Sequence, residues 1–384
     1  MKSKIFKKLE GANENDSVAI KNELSKVSKF EENINMFCNN ISNRNNLVED
    51  IKHYISKNDI EMNDKPFYFA FNNKIYDLKK GCFIKPCYKD YISITCGFDY
   101  DEFEDKNRVC ELDLIINTIF TNPELKEYYL ETLSTGLCGQ QIENLFIATG
   151  AGGNGKSLLN SLMMKAVGSY GYKIPSSLLM APIKDGGNPQ VANLHKKRFV
   201  LGQEPDKSKA ICSSTMKELT GDDSINTRKL YSGDCSIKLN LSLFIEANEL
   251  PKMDEVNDAI IRRVRVVPFT SKFIDESTYH QIEKEEIIKN NIFIGNTFFK
   301  SEEFKIKYRQ SLILMLFQKF KGFVDNSFNL HAPPQESREA CSDYLSLSDD
   351  IFDWFTYEKT DDDVSFLYFS DVFEMFTSSN YYQI

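Results

Sequence analysis

The segment from Glu143 to Val167 constrains the fold of this chain more than any other. It starts with a short apolar run, ENLFIAT, continues with GAGGNGKS at Gly150–Ser157, and ends with a pattern that predicts a helix over Ser157–Val167. The glycine-rich part fits GxxxxGK[ST] at every position and stands between a predicted strand and a predicted helix, as a phosphate-binding P-loop requires. Buried strands joined by longer crossovers indicate an α/β fold with a parallel sheet.

The predicted phosphate site follows from the residue types in this loop. Glycines let the backbone approach a phosphate and point several N–H groups at it, and the following helix adds its positive N-terminal end. We expect Lys156 to neutralise the β- and γ-phosphates and the Ser157 hydroxyl to ligate Mg²⁺, so the expected cofactors are ATP and Mg²⁺. The alternative is a structural glycine-rich turn. The expected binding residues are Gly150, Ala151, Gly152, Gly153, Asn154, Gly155, Lys156 and Ser157.

Two further apolar runs predict strands that end in polar side chains. Arg198–Gln203 is followed by Glu204 and, beyond a proline, by Asp206, while Leu241–Ala247 is followed by Asn248. Because parallel strands end at a common edge, we expect Glu204 to hold the metal and polarise water, and Asn248 to bond the γ-phosphate or the attacking water. The first acid of the usual pair is a glutamine here, which makes Asp206 a candidate replacement. A solvated strand end and a turn cap are the structural alternatives.

Three arginines stand among apolar residues shortly after the third strand, at Arg262, Arg263 and Arg265. Arginines beside an apolar strand are most often exposed or structural. Downstream of a P-loop they are also candidates for an arginine finger that reaches the phosphate of a neighbouring subunit.

The charge of the chain is concentrated at one end. The net charge is −9, and residues 336–384 hold 12 acids and 2 bases, so the preceding residues sum to −9 + 10 = +1 and leave room for a local basic channel. No apolar run reaches 18 residues and the N-terminus lacks an apolar signal region, so we expect no membrane partner. The nine cysteines form no CxxC pair, which favours reduced cysteines in an intracellular protein.

Five motifs together resemble superfamily 3 helicases: GAGGNGKS, RFVLGQEPD, TMKELTGDDSINTRKLY, LFIEANELPKM and DAIIRRVRVVPF. The resemblance is greatest to the helicase part of primase-helicases from poxviruses and other large DNA viruses, phages and plasmids. The stretch PFYFAFNNKIYDLKKGCF is similar to the domain that precedes the helicase core there. The resemblance covers residues 60–275 well and extends more loosely to about residue 355.

The resemblance implies a fold and a set of roles. The fold is an AAA+ P-loop NTPase core with a parallel sheet, preceded by a smaller α+β domain and followed by a helical, partly winged-helix-like tail. The activity is ATP-driven 3′→5′ movement on DNA by a hexameric ring. The corresponding residues are Lys156 and Ser157 for the Walker A pair, Glu204 for the Walker B acid, Asn248 for the sensor, and Arg262 with Arg263 for the finger region.

A predicted hairpin lies between the second and third strands of the core. It consists of Ser224–Tyr231 and Ser236–Leu243, joined by a turn at Ser232–Asp234. In the family such a hairpin lines the central pore and touches DNA, although here the turn has no lysine. The alternative is a sheet extension that packs on a neighbouring subunit. The candidate DNA contacts are Arg228, Lys229 and Lys238.

Pattern and resemblance divide the chain into six parts. They are a helical N-terminal segment (1–60), a small β-rich domain (61–108), a helical collar or linker (109–142), the AAA+ helicase core (143–275), a helical C-terminal part (276–335) and an acidic tail that resembles the start of a winged helix (336–384). The pattern predicts amphipathic helices over 18–57, hairpin turns at Asn72-Asn73 and Lys80-Gly81, and helical structure over 276–330. Because the 59 residues before residue 60 are too few to form a primase domain, we expect the primase to be a separate protein or to be fused to this chain. The tail stops at Ile384, which favours a fragment or a split gene product.

The sequence therefore predicts an ATP-dependent DNA helicase that unwinds duplex DNA during viral or mobile-element replication. Its expected partners are single-stranded or forked DNA and further copies of itself, in a hexamer. It would act in a viral replication compartment, in the host cytoplasm or nucleus. Two alternatives remain open, an AAA+ motor that packages or remodels DNA without unwinding it, and an inactive DNA-binding ring. An assay of strand displacement distinguishes the helicase hypothesis from both alternatives.

Overall fold

The structure of this chain, a computed structural model, describes residues 14–55, 60–103, 107–183, 188–202, 209–228, 234–347 and 369–378. Within these residues no helix is both long enough and apolar enough to cross a bilayer. The chain divides into two compact units, Met1–Glu61 and Met62–Ile384.

The first unit is a pair of helices, α1 (Glu14–Asn39) and α2 (Ile41–Ile55). Proline and glycine are absent from both helices, so the predicted amphipathic pattern can continue through each helix without a break. The interruption lies at Asn40, whose side-chain oxygen accepts a hydrogen bond of 2.9 Å from the backbone N–H of Ser42 and starts the second helix.

The second unit contains both helices and strands. Its strands are β1 (Tyr68–Ala70), β2 (Ile75–Asp77), β3 (Cys82–Ile84), β4 (Leu145–Thr149), β5 (Gly171–Ile174), β6 (Phe199–Gly202), β7 (Ser224–Arg228), β8 (Asp234–Lys238), β9 (Ser242–Ala247), β10 (Val264–Pro268), β11 (Lys272–Ile274) and β12 (Ile292–Ile294). Its α-helices are α3 (Asn107–Ile119), α4 (Pro123–Thr135), α5 (Lys156–Val167), α6 (Pro189–Ala192), α7 (Ser213–Thr220), α8 (Asp258–Ile261), α9 (Glu276–Tyr279), α10 (Lys284–Lys289), α11 (Glu302–Asp325), α12 (Gln335–Leu347) and α13 (Phe369–Thr377). Short 3₁₀ helices lie at Tyr88–Asp90, Gly168–Tyr170, Ser176–Leu178 and Thr297–Lys300.

The core of this unit is a five-stranded sheet in the order β10-β4-β9-β6-β5, and every pair in it is parallel. This confirms the predicted α/β fold with a parallel core sheet. The P-loop strand β4 lies at the interior, between β10 and β9. Strand β6, which leads to Glu204, is separated from β4 by β9, so the order of strands in the sheet differs from their order in the chain.

Helices cover both faces of this sheet. On one face, α5 packs against α11, which also contacts α3 and α4, around aromatic side chains such as Phe146 and Phe244. On the other face, α12 packs on β10, and its Tyr344 donates a hydrogen bond of 2.8 Å to the carbonyl oxygen of Pro251. Burial of both faces explains why these strands read as continuous apolar runs without alternation.

The smaller sheets match the sequence pattern in part. Strands β1 to β3 form an antiparallel sheet whose two turns lie where predicted, at Asn72-Asn73 and Lys80-Gly81, and Gly81 has a φ of +66°. The stretch 276–330, which we predict to be helical, also contains β12, which pairs in parallel with β11. These two strands are only three residues long, which is too short for a reliable periodic signal.

Candidate nucleotide site at the carboxyl edge of the sheet

The glycine-rich loop connects β4 to α5 with three glycines at positive φ. These are Gly150, Gly153 and Gly155, at +143°, +77° and +90°. A Cβ on Gly155 would lie 2.8 Å from the side chain of Ile119, and a Cβ on Gly150 would collide with the carbonyl oxygen of Phe269. The loop therefore needs glycine both for its backbone conformation and for the close approach of its neighbours.

Lys156 is the first residue of α5 and is only 4 % exposed. Its ammonium group donates to the carbonyl oxygen of Gly150 and, at 3.1 Å each, to the side-chain oxygens of Asn154 and Asn248. The structure thus brings the predicted phosphate lysine together with the predicted sensor, because β4 and β9 are adjacent and parallel and end at the same edge. These oxygen partners hold the ammonium group inside the loop, where the oxygens of a bound phosphate would compete with them for its hydrogen bonds.

Ser157 contacts an acid that we did not predict. Its hydroxyl donates a hydrogen bond of 2.7 Å to the Oε2 atom of Glu246, which lies in β9 two residues before Asn248. Asn248 follows Ala247, the last residue of the strand, so both residues lie near the carboxyl edge of the sheet. The sequence signal for this residue is that Glu246 is the single acid within the apolar strand LFIEAN. Its apolar neighbours made the segment read only as a buried strand.

A cavity of about 710 Å³ opens beside the P-loop. The loop and the start of α5 form part of its lining, and α3, the segments around β11 and β12 and the start of α11 form the rest. The residues outside the loop and α5 include Ile115, Ile119, Phe273, Asn296, Phe299, Lys300 and Lys305. The cavity therefore has a polar end at the loop and an apolar end with amide and ammonium groups, a combination common in small-molecule sites.

The residues at the site fit a magnesium nucleotide. Mg²⁺ is held in proteins by one or two carboxylates together with substrate phosphates and water, and Ser157 and Glu246 provide paired oxygens 2.7 Å apart beside the loop. The ammonium of Lys156 provides the counter-charge for phosphate. The predicted metal acid Glu204, and Asp206 with it, lie outside the described residues.

The predicted finger residues lie at the other end of the sheet. The carbonyl oxygen of Arg263 accepts a hydrogen bond of 2.9 Å from the N–H of Leu145, the first residue of β4, while the P-loop follows its last residue. Five residues of strand span roughly 13 Å, so neither Arg262 nor Arg263 shares an edge with its own P-loop.

The two arginines differ in exposure. The side chain of Arg262 is 63 % exposed, whereas that of Arg263 is 11 % exposed and donates a hydrogen bond of 3.0 Å to the carbonyl oxygen of Ala259. Both guanidinium groups lie 3.9 Å from a carboxylate oxygen of Glu143. Arg263 is therefore held by contacts within its own chain, and the side chain of Arg262 is exposed to solvent.

The predicted hairpin exists as β7 and β8, an antiparallel pair. Strand β8 begins at Asp234, which we predicted to lie in the turn and which pairs with Arg228, and it ends at Lys238, earlier than the predicted Leu243. The strand ends there because Leu239 and Leu241 turn into the core before β9 begins at Ser242. Lys238 is exposed and lies 3.3 Å from a carboxylate oxygen of Asp222 at the base of the hairpin. Lys229 and the turn lie outside the described residues, as does the side chain of Arg228.

A family model described as "D5 N terminal like" matches residues 7–132. Among curated proteins, the chain is 30% identical over 267 residues to "Putative helicase L207/L206" of Acanthamoeba polyphaga mimivirus, covering 68% of this chain and 28% of that protein. It is 27% identical over 291 residues to "Uncoating factor OPG117" of Monkeypox virus, covering 72% of this chain and 37% of that protein. "Primase D5" of Fowlpox virus is 28% identical over 242 residues, which cover 60% of this chain and 30% of that protein.

A solved structure, "The A form apo structure of NrS-1 C terminal region-CTR", aligns with 82% of this chain and 71% of that chain at 15% identity and a TM-score of 0.45. The chain spans between 28% and 37% of the length of the three curated relatives. The predicted resemblance to proteins of large DNA viruses is thus confirmed: residues 7–132 match the D5 N-terminal-like model, and the homologues of the chain include proteins named as a putative helicase and a primase.

Proposed function

We propose that this chain is the helicase part of a viral primase-helicase, an ATP-dependent DNA helicase of superfamily 3. The observation that carries the proposal is the convergence of Lys156, Ser157 and Asn248 at one edge of a parallel sheet, beside a cavity large enough for a nucleotide. The names of the relatives, a putative helicase and a primase, support the same class of activity for this chain.

Each residue at this edge has a distinct part in the proposed hydrolysis. Lys156 exchanges its carbonyl partners for the β- and γ-phosphate oxygens, and the loop amides orient the phosphate chain. Ser157 and Glu204 would hold Mg²⁺, which would neutralise charge on the phosphates. Asn248, already within 3.1 Å of the lysine, holds the γ-phosphate or the attacking water in line. The apolar end of the cavity excludes water from the base and sugar.

The positions of the arginines support a shared site in a ring. Because Arg262 lies at the edge opposite its own P-loop and faces outward, it can serve only a P-loop that another copy presents. The proposed assembly is a homo-oligomer, a hexamer as the family resemblance implies. In it, the hairpins β7–β8 of all copies would surround one DNA strand.

The decisive experiment is strand displacement. The purified chain is incubated with forked DNA, Mg²⁺ and either ATP or a non-hydrolysable analogue, and the release of a labelled strand is followed. We expect ATP-dependent release together with hydrolysis that single-stranded DNA stimulates. Hydrolysis without strand release would favour a packaging or remodelling motor, and DNA binding with neither activity would favour an inactive ring.

The substitution Glu204→Gln should separate nucleotide binding from hydrolysis. Glutamine keeps the size of the side chain and removes the charge that activates water, so we expect unchanged ATP affinity and turnover lowered by about 10²-fold. Binding is measured with a fluorescent ATP analogue and turnover by phosphate release. Near-normal turnover would show that another acid, Asp206 first, activates the water. The variant Asp206→Asn, measured in parallel, tests that assignment directly.

Combined replacement of Arg228, Lys229 and Lys238 by alanine should weaken DNA binding without lowering basal ATP hydrolysis. Each lost phosphate contact lowers the salt dependence of single-strand binding by about 0.7 in log–log slope. Fluorescence anisotropy at several salt concentrations measures both affinity and slope. The control is Lys319→Ala, which removes a partly buried lysine that pairs with Glu127 on another part of the fold. An unchanged affinity and slope in the triple variant would remove the hairpin from the DNA interface.

A further inference from the structure

We propose that Glu246 supplies the second carboxylate of the metal site, from strand β9 in place of the acid that is absent at the end of β6. Its role is that of a positioning residue, which orients the Ser157 hydroxyl and accepts hydrogen bonds from water on the cation. The inference rests on the proposed nucleotide site and assigns a function to a residue to which the sequence motifs give no role.

The sheet register places Glu246 beside the end of the P-loop strand. In the parallel ladder Glu246 pairs with Ala148, and Ala247 pairs with Thr149, after which the loop begins. On the other side of β9, Ile245 pairs with Gly202, the last residue of β6. The carboxylate therefore comes from the strand next to β4 and has a shorter distance to cover than an acid from β6, which lies one strand further away.

The hydrogen bond to Ser157 has a consequence for the lone pairs of the serine. The hydroxyl donates its only proton to Glu246 at 2.7 Å, so both lone pairs of Oγ remain available on the other side. An oxygen with lone pairs directed toward the phosphates is the ligand that Mg²⁺ requires in an octahedral shell. A carboxylate partner fixes this orientation, whereas a glutamine could bind the hydroxyl either as donor or as acceptor. Partners of this kind, one step removed from the metal, are what tune metal affinity.

The surroundings of Glu246 favour a cation as its further partner. The carboxylate is half-buried, and its neighbours Ile245 and Ala247 in the strand are buried. The hydrogen-bonded pair of Ser157 and Glu246 is open to solvent, so a hydrated cation can reach it. The nearby phenol of Tyr129 is fully buried and donates a hydrogen bond of 2.7 Å to Asn160. Burial raises the pKa of Tyr129 above its usual range, and the charge of Glu246 raises it further, so the phenol stays neutral.

The test compares nucleotide affinity with and without the metal. A fluorescent ATP analogue is titrated into the wild-type chain, Glu246→Gln and Glu246→Asp, once in excess Mg²⁺ and once in EDTA. We expect the affinity of Glu246→Gln in EDTA to be unchanged and the gain in affinity from Mg²⁺ to shrink by roughly 10- to 100-fold. Glu246→Asp keeps the charge and should retain part of the gain. Paramagnetic resonance of Mn²⁺ in the presence of ADP reports the same loss without any turnover.

The matched control is Glu111→Gln. Glu111 also accepts a hydrogen bond of 2.7 Å from a hydroxyl, that of Tyr308, and is not among the residues that line the cavity at the P-loop. Its substitution should leave the Mg²⁺-dependent gain unchanged. An equal gain in Glu246→Gln and the wild-type chain would overturn the inference while leaving the nucleotide site intact. Absence of nucleotide binding by the wild-type chain would instead overturn the proposed function. Circular dichroism confirms that each variant is folded.

Discussion

Replacement of Lys156 by alanine is expected to lower ATP hydrolysis by on the order of 10³-fold, because the ammonium is the cation that the loop itself directs at the phosphates. In the structure this charge is buried, and its partners are the carbonyl oxygen of Gly150 and the side chains of Asn154 and Asn248. Alanine removes the ammonium group, so neither these oxygens nor the phosphate oxygens of ATP have a cation to bind. Phosphate release under saturating ATP measures the effect.

The control for this substitution is Lys165→Ala. Lys165 lies in the last turn of the same helix and forms an exposed ion pair of 3.1 Å with Glu302. Exposed pairs contribute about 0 to 1 kcal/mol to stability, so this variant should fold and hydrolyse ATP like the wild-type chain. Equal turnover in Lys156→Ala and Lys165→Ala would contradict the assignment of the P-loop as the hydrolysis site.

Replacement of Arg262 by alanine is expected to lower turnover by on the order of 10³-fold while ATP binding persists, because a finger acts on the charge that develops during phosphoryl transfer. Arg263→Ala should act differently. Arg263 is almost buried and is bonded to Ala259, so its loss should chiefly lower the free energy of unfolding. Phosphate release and thermal unfolding, measured on both variants, separate the two roles. Arg338→Ala, which removes another exposed arginine, is the control.

Subunit mixing tests whether Arg262 acts between copies. In a ring, Arg262→Ala and Lys156→Ala subunits place their defects in different halves of shared sites, so some interfaces in a mixture contain an intact lysine and an intact arginine. Turnover should therefore reappear when the two inactive proteins are mixed. If no turnover returns although sedimentation shows intact mixed assemblies, Arg262 has a structural role.

Much of this site was accessible from local sequence. The pattern of an apolar strand, a glycine-rich loop and a helix placed the phosphate residues at Gly150–Ser157, and the structure has β4 and α5 on either side of that loop. The same holds for the turns at Asn72-Asn73 and Lys80-Gly81. Such features depend on residues a few positions apart, for which backbone geometry and burial periodicity are sufficient.

The short strands β5 and β12 were not predicted. They have four and three residues, too few for a periodic pattern, and they are stabilised by pairing with β6 and β11. Their formation depends on partners that lie elsewhere in the chain, so tertiary pairing decides whether such segments become strands.

Sequence by itself determined the glycine-rich loop between a strand and a helix, the parallel α/β class and the family relationship, because each resides in contiguous motifs. Only the tertiary structure decided which residues meet at the site. Strand β9 begins 93 residues after β4 ends, 242 − 149, yet it is the strand that lies beside β4 and brings Glu246 to Ser157. The same sheet places Arg262 at the edge away from its own loop. Periodicity along a strand reports which faces are buried, but the lateral order of strands depends on how distant segments pack, and that order determines which side chains share an edge.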